Sequence, residues 1–467
     1  MTDQSAGSLK RFHSVVLDED ACKGCTICVT TCPAEAIRVR NGKARILAER
    51  CIDCGECIRR CPNHAKKARV DELAALSDPE RFGAFDWKIA LPAPSLYGQF
   101  PERYTIANIH AALRAIGFDE VFPVARATPF IAGATREMLD REKYPELPRP
   151  LISSSCPTII KLIQIRFPTL IRHVVPIIAP MELAGRMAKT IAREDLAARA
   201  TGTSGGKPPR IGCFFITPCA GKITEAVAPL DQSESSIDGV FSVNDLHIPL
   251  LTALIKLPKD GTEGDESTAA EISWGRAGGE AETTITTGNI AWLSVDGMDH
   301  CLKILEEAED GNLKGIEFLE LMACTDGCVG GPLSVENPSI ARHTIREREK
   351  KIAAKKTASP DETGGNESDA GQDRNPTYYC HTASPLLPRP SLLLDPDFKK
   401  AMGMMERMEE INEGLPGLDC GCCGAPNCHA LAEDIVRGNA NRTDCVIILK
   451  EQYRELVERN GRRDGKK

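Results

Sequence analysis

The sequence predicts an α/β central domain with a small α+β module before it and a compact cysteine-bound module after it. Three observations predict this. A cysteine pattern is repeated twice near the start of the chain, at a spacing of 29 residues. Short β-rich apolar runs then alternate with helical periodicity from about Phe85 to Ile340, with cysteines in the connecting loops. A further cysteine run follows a methionine-rich helical stretch close to the end. At 467 residues the chain is too long for one small core, and length alone suggests about three domains. The expected boundaries are residues 14–75, 85–395 and 400–450.

The first module carries Cys22-x2-Cys25-x2-Cys28-x3-Cys32-Pro33 and then Cys51-x2-Cys54-x2-Cys57-x3-Cys61-Pro62. This is the signature of a bacterial two-cluster ferredoxin, in which the fourth cysteine of each run crosses to the other cluster. One 4Fe-4S cluster then takes Cys22, Cys25, Cys28 and Cys61. The other takes Cys51, Cys54, Cys57 and Cys32. His64, beside the second run, reads as a solvated loop residue.

In the central domain, Arg210–Ile216 reads as a buried strand delivering Cys219 at its C-terminal end. Met298, Cys301, Leu302 and Leu305 share one helical face, and Ile316–Met322 reads as a strand leading to Cys324. Open α/β sheets tend to place their sites at such strand ends. Three signatures stand there: Ser155-Cys156-Pro157, Thr217-Pro218-Cys219-Ala220-Gly221-Lys222, and Cys324-Thr325-Asp326-Gly327-Cys328-Val329-Gly330-Gly331-Pro332. Four thiols in three loops suit a buried iron–sulfur cluster better than zinc, whose ligands usually come in two close pairs. Cys213, Cys301 and Cys380 read as buried core thiols, and His173 and His300 as surface or satisfied core residues.

These signatures resemble the active-site domain of the iron-only (FeFe) hydrogenases, and the resemblance covers nearly the whole chain. It implies two α/β lobes around a buried H-cluster, a 4Fe-4S cube joined to a di-iron unit with carbonyl and cyanide ligands. In that resemblance Cys156, Cys219, Cys324 and Cys328 hold the cube, and Cys328 bridges to the di-iron unit. Lys222 donates to a cyanide, and Met322 packs near the metals. The departures matter. Catalytic members have a proton-relaying cysteine where this chain has Ser155, and a serine proton is far less acidic than a thiol's. Thr217 replaces a methionine, and the first signature lacks its usual aromatic residue. The pattern therefore looks like the sensory subgroup of low turnover, with Ser155, Lys222 and Cys328 as the catalytic candidates. The alternative is a non-catalytic electron carrier or assembly factor that keeps the cube and never receives the di-iron unit.

Near the end, Cys420, Cys423, Cys428 and Cys445 give C-x2-C-x4-C-x16-C, with Cys422 as the spare. This resembles the small 4Fe-4S domain of Rnf-type electron-transfer subunits and corrinoid iron–sulfur proteins. Sulfur ligation alone leaves zinc open there. Because all its ligands are local, this module is expected to be separable from the ferredoxin. Methionines 402, 404, 405 and 408 are expected to pack a core.

Residues 259–270 and about 357–376 read as insertions without a core, the second as disordered. Arg346–Lys356 reads as a solvated helical face. The net charge of −8 argues against nucleic-acid binding, and the basic tail 462–467 reads as a solvated terminus. No export signal is visible at the start, and apolar stretches such as Val174–Ala179 fall short of the roughly 18–20 residues that span a bilayer. The expectation is a cytoplasmic protein, away from membranes. Its implied partners are a ferredoxin or similar redox protein, hydrogenase maturation proteins, and a signalling kinase or phosphatase in trans.

Overall fold

The computed structural model describes residues 12–199, 208–231, 234–257, 272–286, 289–358, 380–389 and 393–464. The expected insertions at 259–270 and about 357–376 lie outside these residues almost entirely, as does the tip of the basic tail. The chain forms two compact units. One comprises residues up to Ile52, Glu56–Ala68 and the chain from Arg389 onward; the other comprises Asp53–Gly55 and Arg69–Pro388.

In the first unit, β1 (Val15–Leu17), β2 (Ile37–Arg40), β3 (Lys43–Ile46) and β4 (Lys66–Ala68) make two antiparallel pairs, β1 with β4 and β2 with β3. Helical turns Ile27–Thr30 and Glu56–Arg59 carry Cys28 and Cys57 inward. The first turn is entered through Gly24 at φ 66°, and a Cβ there would meet the Gly42 carbonyl oxygen at 2.6 Å.

The cysteine segment at the chain end, expected from its local ligands to be separable, packs against this same pair of repeats. Val39 N–H donates to Gly424 O at 2.8 Å, and Arg40 donates to Cys423 O at 2.9 Å. Asn427 donates to Glu35 at 2.8 Å. Arg38 and Arg40 both reach Asp434, at 2.7 and 2.6 Å, and Arg50 reaches Glu433 at 2.5 Å. The methionine-rich helix, Phe398–Glu413, also departs from expectation. Met408 and Ile411 are its buried positions and Met404 is half-buried, whereas Met402 and Met405 are exposed. Only one side of that helix has a core to face, and the two methionines lie off it.

The second unit is α/β with two parallel sheets. The strands are β5 (Trp87–Pro92), β6 (Glu120–Val121), β7 (Leu151–Ile152), β8 (Ile211–Thr217), β9 (Gly239–Ser242), β10 (Trp292–Asp296) and β11 (Phe318–Met322). One sheet has the order β6-β5-β8-β9, the other β10-β11-β7. Strand β8 is buried at every position, as its unbroken apolar run requires. Phe82, Phe118, Phe214 and Phe241 pack edge-on or tilted beside the first sheet, with Phe82 and Phe214 centroids 4.8 Å apart. Cys213, Cys301 and Cys380 are fully buried thiols. His173 is buried and bonded to Pro150 O at 2.9 Å, while His300 and His64 are exposed. The charged run at Arg346–Lys356 lies in helix Pro338–Ala358 and is not wholly solvated. Arg348 is buried there and donates to the carbonyls of Tyr97 and Phe100, serving the end of a neighbouring helical turn.

Candidate metal centres

The C-terminal ends of three parallel strands set the central site. Strand β7 runs into Ser155 and Cys156, β8 into Cys219, and β11 into Cys324 and Cys328. The four thiols, Lys222, Met322, Ser155 and Cys54 line one cavity of about 930 Å³, counting its opening to solvent. The last loop reaches its position through two left-handed residues, Asp326 at φ 63° and Gly327 at φ 90°. A Cβ on Gly327 would sit 2.5 Å from Ala277 N, so only glycine permits this approach. Asp326 is tied down by its surroundings. Its N–H donates to Asp296 at 2.7 Å, and its carboxylate accepts from Ser339 and Arg342 at 2.9 and 2.7 Å.

Burial raises the Cys156 thiol, pushes Cys219 up to about 11, and raises Cys328 further. Thiolates in this pocket therefore need a positive charge facing them. Lys222 is one such charge. Burial works against its ammonium, but Glu225 at 2.8 Å and the nearby thiols more than offset this, leaving its pKa above the ordinary value. Thr217, in place of the expected methionine, turns its hydroxyl onto the loop. It accepts from Cys219 N at 3.1 Å and donates to Cys219 O at 3.0 Å. Ser155 N–H donates to Ser153 Oγ at 3.1 Å. The Ser155 hydroxyl is buried; it helps to hold the Glu280 carboxyl ionised, yet no bond of ordinary geometry reaches its Oγ.

Three residues of this site were not legible as such in the sequence. Glu225 and Glu280 stand beside Lys222 and Ser155, and Glu320 lies on β11 behind Glu280. Nothing local separates Glu280 from its neighbour Glu282, which reaches Arg276 instead. Lys161 and Asp53 add a buried ion pair at 2.7 Å.

In the first unit, Cys22, Cys25, Cys28 and the remote Cys61 line one small cavity. Of the second predicted set, Cys32 and Cys57 lie close enough for Cys32 to help raise the Cys57 thiol, after burial, to about 12. Cys32 and Cys61 hold equivalent places in the repeat, each accepting a backbone N–H four residues on, at 3.3 and 3.2 Å. At the chain end, Cys423 sits near Cys420 and Cys445, and Cys428 packs in the same small core. Cys422 is exposed beside Cys420.

Fold and sites together define an iron–sulfur protein of the oxidoreductase class. Comparison with known proteins gives the particular family. The model of the iron only hydrogenase large subunit, C-terminal domain, matches residues 88–332. A 4Fe-4S dicluster domain matches 14–62 and an Fe-S cluster segment 415–447. The chain belongs to the iron-only hydrogenase large-subunit family. Iron hydrogenase 1 of Clostridium pasteurianum is 26% identical over 387 residues, covering 69% of this chain and 65% of the relative. The chain thus spans just under two thirds of that relative's length. The periplasmic Fe hydrogenase large subunit of Nitratidesulfovibrio vulgaris is 27% identical over 377 residues, covering 69% and 86%. A component of the ion-translocating oxidoreductase complex of Rhodobacter capsulatus is 53% identical over 38 residues, 8% of this chain and 20% of that one. A solved apo FeFe-hydrogenase from Chlamydomonas reinhardtii superposes with a TM-score of 0.47 at 18% identity, covering 68% of this chain and 98% of that one. Among the described residues, no helix is long and apolar enough to cross a membrane.

Proposed function

We propose that this chain is a low-turnover iron-only hydrogenase with a sensory role, interconverting hydrogen with protons and electrons at an H-cluster. The observation that carries the reading is the convergence of Cys156, Cys219, Cys324 and Cys328 with Lys222 on one cavity where Ser155 replaces a relaying thiol. The donor set fits the group. Thiols that burial makes reluctant to ionise, Cys156, Cys219 and Cys328, suit a cationic iron–sulfur cube, and the Ser155 Oγ beside them has no protein hydrogen bond of ordinary geometry. When bound, the group supplies the redox chemistry of hydrogen. The chain's own residues do the rest. Cys156, Cys219, Cys324 and Cys328 would hold the group. Lys222 holds a fixed positive charge for anionic ligands, and Glu225 orients its ammonium. Met322, Phe215 and Leu321 give the cavity an apolar lining.

Two ferredoxin-type cubes and one C-terminal cube, on the ligands predicted above, would carry electrons to this site from a redox partner. The division into modules at 14–75, 85–395 and 400–450 belongs to the same proposal. So do a cytoplasmic setting, maturation proteins that load the di-iron unit, and a signalling kinase or phosphatase in trans. A carrier without the di-iron unit is the second reading. It is favoured by the Lys222–Glu225 ion pair, which gives the ammonium a protein partner without any anionic ligand. Infrared spectroscopy of the full chain produced with hydrogenase maturation enzymes separates the two. Metal-bound carbonyl and cyanide bands are expected, and their absence would leave the carrier.

A further inference from the structure

The 29-residue repeat of the first unit continues past its cysteines. Cys32-Pro33-Ala34-Glu35-Ala36-Ile37 corresponds to Cys61-Pro62-Asn63-His64-Ala65-Lys66, so a lysine stands where the first copy has an isoleucine. The fold treats the two positions alike. Ile37 opens β2 and is 2% exposed; Lys66 opens β4, opposite Leu17 of β1, and is 3% exposed. A position that is apolar in one copy carries an ammonium in the other.

Lys66 lines the cavity formed by Cys22, Cys25, Cys28 and Cys61, and its Nζ is buried with no hydrogen-bond partner among the described residues. Neighbouring lysines are answered. Lys23 donates to Asp20 O at 3.4 Å, Lys43 to Cys22 O at 3.1 Å, and Lys67 meets the Asp18 carboxylate at 2.9 Å. A buried ammonium is costly unless an anion faces it. The cavity offers such anions. Burial raises the Cys28 thiol to about 11, and Lys66 is the foremost charge acting against that rise. It also favours the thiolate forms of Cys22 and Cys57, against the burial that opposes both.

We propose that Lys66 is a built-in counter-charge for the 4Fe-4S cube on Cys22, Cys25, Cys28 and Cys61, and that it makes this cube the more easily reduced of the ferredoxin pair. The inference rests on that ligand set and not on the di-iron unit. A cube on four thiolates is anionic, and reduction adds one electron from the redox partner, hence one more negative charge. No bond forms or breaks, and Lys66 keeps its protons. A fixed ammonium stabilises the more negative form more strongly and so raises the potential. Burial strengthens that effect, because the local dielectric is low. By the repeat, the cube on Cys51, Cys54, Cys57 and Cys32 has Ile37 in the matching place, without a charge. Two cubes of nearly identical ligation thus acquire unequal potentials, and electrons rest preferentially on the one beside Lys66.

The test uses the full chain prepared without the maturation enzymes, so hydrogen turnover plays no part. Electron paramagnetic resonance followed through a redox titration reads the reduction of each cube. At matched iron content, Lys66→Met should lower the potential of one ferredoxin component by about 59 mV, a tenfold change in its one-electron equilibrium. Lys66→Arg keeps the charge and should restore most of the native value. The component that shifts should be the one whose signal changes in Cys25→Ser, because Cys25 belongs to that ligand set. Ile37 shows that the matching position accepts an apolar side chain, and Lys66→Gln is a second neutral variant should Lys66→Met lose iron. Unchanged potentials in the neutral variants at matched iron content would overturn the proposal. So would an equal shift in Lys66→Arg, or a shift confined to the component that Cys25→Ser leaves untouched. Ferredoxin signals missing from the unaltered chain would instead remove the ligand set, and the proposal with it.

Discussion

At the residue scale, single atoms decide how the central pocket handles charge and protons. A thiol of pKa near 8.5 exchanges protons at neutral pH far more readily than an alcohol. Ser155→Cys is therefore expected to raise hydrogen turnover, measured with di-iron loading matched by infrared intensity. Fast turnover in the unaltered protein would instead show that the serine imposes no limit. Burial sharpens a second case. Lys161 and Asp53 are 3% and 0% exposed and meet at 2.7 Å. Removing Lys161 strips the buried Asp53 carboxylate of the ammonium that meets it. Lys161→Met should cost about 3–5 kcal/mol in denaturant unfolding. Lys161→Met combined with Asp53→Leu should recover most of it, because what is expensive is the orphaned charge.

At the scale of elements, the C-terminal cysteine segment and the repeat near the start of the chain behave as one body. Arg38 and Asp434 are 5% and 8% exposed, and Arg40 shares the same carboxylate. Asp434→Ala would leave two guanidinium groups facing each other with no anion, in a contact that also carries the Val39–Gly424 backbone bond. The expected outcome is loss of about 3–5 kcal/mol. The C-terminal and ferredoxin clusters should bleach together in a urea titration followed by visible absorption and iron release. Truncation after Gly414 should likewise weaken the ferredoxin clusters. If they survive truncation with unchanged resistance to urea, the modules are independent after all, as the local ligand spacing suggests.

Across the whole molecule, the buried carboxyl pair links stability to pH. Glu280 and Glu320 have folded-state values raised above the ordinary 4.5, so between about 4.5 and 8 the folded chain holds more protons than the unfolded one. Their contribution is complete below the unfolded value and is lost as pH rises through the folded values. Glu433 runs the other way. Burial opposes its charge, but Arg50 and Arg437 outweigh that, so its pKa is lowered and its contribution is present above the unfolded value and lost toward acid. Comparing the unaltered chain with Glu280→Gln isolates the first effect. The difference in denaturation midpoint should move in favour of the variant between about pH 5 and about pH 9. A difference that stays flat would mean that Glu280 does not hold its proton in the folded state.

Some of this was determined by sequence alone, because the signals are local. Cysteine spacing at two or three residues identifies cluster loops whatever surrounds them, and the unbroken apolar run at Ile211–Thr217 can only be a buried strand or helix segment. The same holds for the inward face of Met298, Cys301 and Leu305. The tertiary structure decided what depends on distant partners. Glu280 and Glu282 look alike in the chain, yet one lines the cavity and the other pairs with the buried Arg276. Arg348 reads as one charge among many until its position under the carbonyls of Tyr97 and Phe100 is known. The methionines of Phe398–Glu413 divide into buried and exposed only once a core exists on one side. The union of the last cysteine segment with the first repeat rests on Arg38, Arg50, Glu433 and Asp434, residues nearly 400 positions apart. Charge pairing at that separation leaves no periodic trace, because each side chain is ordinary in its own neighbourhood and becomes specific only when folding removes the water between them.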